Sequence, residues 1–139
     1  MAVNTQFAIA VHLMAGLGCQ RGRSLNSSHL AASVNTSPSF VRRVLAKLSR
    51  AGLVETTTGK AGTCRLARST RDISLLDIYR AVDAPRAFSI HTYPEQKICP
   101  VSCHIKAALE GALKKTQGAM EASLADISLG RILSDMKKK

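Results

Sequence analysis

Apolar residues recur at spacings of three and four along most of this chain, which predicts a mainly helical protein. The first such stretch runs from about Thr5 to Leu17, with Phe7, Val11 and Met14 on one side. A short second helix, capped by Asn26 or Ser27, passes through His29, Leu30 and Ala31 to Ser33. After a tight turn at Val34 to Thr36 comes SPSFVRRVLAKLSRAGL, residues 37 to 53. Here Ser37 can cap, Pro38 suits the first helical position and Gly52 suits the position just past a helix end. Phe40, Val41, Val44, Leu45 and Leu48 give that helix one apolar stripe. Two short helices joined by about four residues, with small alanines at the crossing, form a helix-turn-helix pattern.

The period then changes. LVETT and TCRL are short β-branched segments around TGKAG, a hairpin with Lys60 at its tip. Ser74, with Asp77 three residues on, is close to a capping box and opens a helix that reaches Val82. Asp83 to Pro94 has two prolines and no period, so it reads as a loop. A long helix follows from about Pro100 to Leu124. Leu109, Leu113, Thr116, Met120, Leu124 and Ile127 line one side, with Ala108, Ala112 and Ala119 as a small-residue strip beside them. So long a helix cannot bury both strips against a small domain, and a symmetric partner would cover the remainder. A last short helix, Leu129 to Met136, precedes three lysines. The fold expected is mainly α with a small β-hairpin wing. A winged helix-turn-helix domain (1–82) is followed by a linker or sensor loop (83–99) and a dimerisation region with a final helix (100–139).

Charge decides what such a domain faces. The net charge of +11 is uneven: residues 1–68 hold nine Lys or Arg against Glu55 alone, for +8, while residues 69–139 carry only +3. The helix after Ser37 concentrates this excess. Its polar face shows Ser39, Arg42, Arg43, Lys47 and Arg50 with no acid, which suits the major groove of DNA. In the wing, Lys60 would lie against phosphates or a minor groove, and Arg65 and Arg68 can add backbone contacts.

No apolar run approaches a membrane span. The opening MAVNTQFAIAVHLMAGLGC looks a little like a signal peptide, but it lacks a positive start and His12 interrupts it, so an amphipathic helix in a cytoplasmic protein is expected. No glycine-rich phosphate loop, paired acids or activated nucleophile speaks for an enzyme. A non-specific DNA or RNA binder is the rival, and would bind random duplex about as well as any promoter.

From end to end the chain resembles the Rrf2 family of bacterial transcription regulators, which includes IscR, NsrR and CymR types. The features that carry the likeness are FAIAVHLM, SPSFVRRVLAKLSRAGLV, TGKAGTCRLAR, DISLLDIYRAVDA, CPVSCHIKAALEGAL and ISLGRILSDM. The resemblance implies a winged helix, a long dimerisation helix and binding to double-stranded promoter DNA as a homodimer. It gives reading roles to Ser39, Arg42, Arg43 and Lys47, with Ser37 and Arg50 on the same helix, and a minor-groove role to Lys60.

Many members hold an iron–sulfur cluster on three cysteines just before the long helix. This chain has Cys99 and Cys103 with no third cysteine nearby, and so looks more like the YwnA-type branch. No cofactor is therefore assigned, although a cluster is possible. Cys99-Pro100-Val101-Ser102-Cys103-His104 sits at a helix start, where free amides and the helix dipole favour a thiolate. Three readings stay open. The thiols are structural, or they are a redox or electrophile switch, or they bind a metal with His104 and a further ligand. Cys19 and Cys64 read as small apolar fillers, and His12 and His29 as satisfied structural residues.

Overall fold

A computed structural model describes residues 5–20, 25–57 and 62–137. Six helices and one hairpin follow the order read from the sequence: α1 Gln6–Cys19, α2 Ser27–Val34, α3 Pro38–Arg50, β1 Val54–Thr56, β2 Cys64–Leu66, α4 Leu75–Ala81, α5 Pro100–Ala125 and α6 Leu129–Met136. A 3₁₀ turn at Thr70–Asp72 joins the hairpin to α4.

Local caps set most of these boundaries. The Asn26 side chain accepts the amide of His29 to start α2, and the Ser37 hydroxyl accepts that of Phe40 to start α3. Between them Asn35 adopts a left-handed φ of 68°. Asparagine tolerates that conformation at a helix end better than most residues. At the end of α3, Gly52 (φ 77°) donates to Ser49 and Leu53 donates to Leu48. These are the paired bonds of a Schellman motif, and both of its leucines are buried. Ser74 and Asp77 form a reciprocal capping box at α4.

Helix α1 is the axis of the core. Ala10, Leu13, Met14 and Leu17 are almost completely buried, and they meet α2, α3, α4, α6 and β2. The predicted side of Phe7, Val11 and Met14 is only its margin, because Phe7 and Val11 are half-buried. The hairpin pairs Val54 with Leu66, Glu55 with Arg65 and Thr56 with Cys64. Leu25 and Cys64 then exchange backbone hydrogen bonds of 2.9 and 2.7 Å, which ties the wing to the segment entering α2.

Helix α6 does not stay with α5. It folds back onto α1, where Leu133 occupies the space that a Cβ on Gly18 would need. Leu129 is fully buried in the core. Its amide donates to the Ile73 carbonyl, and the Leu75 amide donates to that of Ile127, each at 2.8 Å.

Helix α5 contrasts with this, since none of its 26 residues is fully buried. It reaches the body through side chains. The Tyr79 hydroxyl donates to the Pro85 carbonyl at 2.6 Å and accepts from the Gln117 amide at 2.9 Å. Gln117 also accepts the amide of Ala87 at 3.0 Å. One phenol and one carboxamide thus hold α4, α5 and the start of the 83–99 loop together. Tyr79→Phe keeps the ring, which packs edge-on against Phe7, but removes both hydroxyl bonds. We expect a loss of ~1–2 kcal/mol and faster hydrogen exchange at Ala87, read by mass spectrometry on native protein. Unchanged exchange at Ala87 would mean that the clamp does not hold the loop.

Candidate nucleic-acid interface

The periodicity of α3 divides its residues sharply. Val41, Val44, Leu45 and Leu48 are buried against the core, whereas Ser39, Arg42, Arg43, Ala46 and Arg50 are exposed on the opposite side. Among the described residues no carboxylate pairs with a cation of α3; the two ion pairs are Arg65–Glu55 and Arg80–Glu121. The face therefore keeps its positive field for a polyanion.

Within that face the structure separates residues that the sequence groups together. Arg42 lines an open cleft of about 520 Å³ between α2, α3 and the hairpin, shared with Ser27, Ser28, Thr57 and Thr63. Arg43 turns away, its guanidinium carbon 5.4 Å from the centre of the Phe40 ring. Arg50 is exposed and its Nε donates to the Ala46 carbonyl. Ser37 spends its hydroxyl on the helix cap. Lys47 is not brought onto this face: it is half-buried and its ammonium donates to Gln6 Oε1 of α1 at 2.9 Å. In the wing, Arg65 is neutralised by Glu55 at 2.8 Å, and Arg68 lies near Gly52. Lys60 and most of the hairpin tip lie outside the described residues.

The cleft hydroxyls were missed by sequence reading. Ser27 and Ser28 follow a capping Asn26, and a helix start beside a cationic helix was the available signal. Thr57 and Thr63 give none, because only the pairing of the two strands brings them together.

The cysteines divide as well. Cys64 is buried, and burial pushes its thiol above the ordinary value. It stays a donor, to the Leu25 carbonyl at 3.1 Å, and so is the packed residue expected. Cys19 is a correction: it is exposed rather than a filler, because the last turn of α1 points it away from the core. His29 is exposed, and His12, also exposed, bonds Ser33 Oγ at 3.0 Å.

Cys99 is exposed and caps α5, its sulfur accepting the Ser102 amide at 3.4 Å. Cys103 is half-buried, and its thiol lies 3.5 Å from the carbonyls of both Gln96 and Lys97. Ser102 Oγ accepts the Gln96 amide and Lys106 donates to the Tyr93 carbonyl, so the loop is strapped to the first turns of α5. His104 is exposed. Among the described residues no three His, Cys, Asp or Glu side chains are placed to hold a metal ion. Two sulfurs and one outward imidazole do not make the ligand set of an iron–sulfur cluster within one chain.

Among the described residues no helix is long and apolar enough to cross a membrane. A family model, Rrf2, described as an iron-dependent transcriptional regulator, matches residues 3–135. The chain is 35% identical over 135 residues to YwnA of Bacillus subtilis (strain 168), named as an HTH-type transcriptional regulator. That match covers 96% of this chain and 98% of the relative. A crystal structure described as that of a DNA-binding protein is similar with a TM-score of 0.72 and 34% identity, covering 92% of this chain and 98% of that one. T. potens IscR superimposes with a TM-score of 0.71 at 23% identity, covering 99% and 90%, a likeness of fold.

Proposed function

Since the chain belongs to the Rrf2 family of DNA-binding transcriptional regulators, we propose that it is a cytoplasmic, homodimeric repressor that reads promoter DNA with α3 and answers a thiol-directed signal at Cys99 and Cys103. The observation that carries the DNA reading is the exposed face of α3, cationic and without acidic partners. In this arrangement α3 enters the major groove, and Arg42 with its cleft takes a backbone phosphate. Arg43 takes a base edge, and Lys60 at the wing tip meets the backbone or minor groove. Lys47 supports the interface through its bond to α1 rather than by contacting DNA.

Pairing is supported by what one chain leaves uncovered. Helix α5 has no fully buried residue, and Ile98, Val101 and Ile105 are exposed near its start. A second copy over this surface sets two recognition helices at a fixed spacing, as two half-sites require. The division of labour is then a DNA-reading body that includes α6, a signal loop at 83–99, and α5 as the pairing helix.

The test is fluorescence anisotropy with a duplex selected by the protein from a random pool, against unselected duplex. A specific regulator favours the selected site by at least about 10³-fold. Equal affinity for both would make this a non-specific binder.

The switch uses the strap described above. Peroxide oxidises the two thiols, the Cys99–Cys103 S–S bond forms, and the peroxide oxygens leave as two waters. Cys103 then has no S–H to offer the Gln96 and Lys97 carbonyls, and the loop loosens from α5. Peroxide should lower affinity for the selected duplex at least tenfold in the native protein and leave the Cys99→Ser/Cys103→Ser variant unaffected. If that variant responds as strongly, the signal acts elsewhere.

A further inference from the structure

Phe40 has two faces with different duties. It belongs to the apolar stripe of α3, yet it is only half-buried, and the Arg43 guanidinium carbon lies 5.4 Å from its ring centre. The residues are three apart on the helix, so the contact is built into one turn. That turn is held, because the Phe40 amide is bonded to the Ser37 cap. Arg42 is next in sequence to Arg43, but it faces the hairpin cleft.

We propose that Phe40 is a positioning residue for sequence choice: its ring presets the Arg43 guanidinium as a reader of one guanine. A free arginine side chain samples many rotamers and loses that freedom when it docks. A ring beneath the guanidinium attracts the cation and removes part of the search before DNA arrives. The guanidinium's N–H groups lie in its plane, so an apolar neighbour beside it leaves a two-donor edge for O6 and N7 of guanine. A lysine at 43 would offer a point charge without that fork. The proposal rests on α3 being the helix that enters the groove.

The experiment uses the full chain, a duplex selected by the native protein, and its single-base-pair variants. Arg43→Ala first identifies the base pair at which discrimination collapses. Phe40→Leu should then reduce discrimination at that same pair about two- to fivefold, the scale of an exposed cation–π contact. Binding to random duplex and the melting temperature should stay close to native, because leucine still fills the stripe. Phe40→Tyr, which keeps the ring, should restore discrimination. On an Arg43→Ala background Phe40→Leu should cost nothing further at that pair. The proposal is overturned if Phe40→Leu weakens all duplexes equally, or if its effect simply adds to that of Arg43→Ala. If Arg43→Ala alters no base preference at all, the groove reading of α3 fails first, and the two failures are thereby told apart.

Discussion

Leu129→Ala should destabilise the DNA-reading body by ~2–5 kcal/mol, although residue 129 is nearly eighty positions beyond α3. Leu129 is fully buried among residues of the body, and its helix follows α5 in the chain. Truncation leaves a hole where α6 packs on α1 and on the Ile73 turn, and backbone bonds at Ile73 and Leu75 pin the start of α6 to that turn. Part of the cost is the lost transfer of the side chain from water, and part is the cavity that a pinned neighbourhood cannot close. Met136, on the same helix but 52% exposed, is the control: its alanine variant should cost less than ~1 kcal/mol. Chemical denaturation of both variants, followed by circular dichroism, reads the difference. Equal and small losses would show that α6 is an appendage and that the core closes without it.

That contrast marks where the sequence stops being legible. Features decided within one turn could be read: Ser37, Pro38 and Gly52 bound α3, Ser74 and Asp77 open α4, and α6 spans the residues expected. Each cap is a bond between near neighbours, so spacing alone reveals it. The docking site of α6 is different. Its apolar stripe requires burial but names no partner, and the bridge between Ser74 and Ser128 is invisible without the fold. Spacing alone therefore does not reveal that α6 packs on α1 and the Ile73 turn. The placement of Lys47 is illegible for a related reason. It sits at the margin between the two faces of α3, and only the arrival of Gln6 from α1 decides which way its ammonium turns. Cys19 ends an apolar run, and a rotation of one residue separates the core side from the open side. The two arginines could be identified as a pair but not distinguished, because the cleft and the Phe40 ring lie on opposite sides of them.

Arg42→Ala/Arg43→Ala should weaken binding to the selected duplex by at least about 30-fold, two contacts at ~1–3 kcal/mol each. The fold should be unaffected, since both side chains are exposed and neither has an acidic partner among the described residues. The single variants should fail in different ways. Arg42 shares its cleft with Ser27 and Ser28, whose hydroxyls suit phosphate oxygens. Its loss should lower affinity for all sequences alike and reduce the slope of log K against log salt by about 0.9, one counterion release. Arg43 is held on the other side, and its loss should flatten sequence preference with a smaller change in slope. Lys47→Gln, in contrast, should change affinity for the selected duplex less than about threefold, since its charge is turned to α1. Anisotropy titrations at several salt concentrations separate these outcomes. If Lys47→Gln proved as damaging as the double arginine variant, the DNA would have to approach along α1 and α3 together, and the wing cleft would not be where the backbone lies.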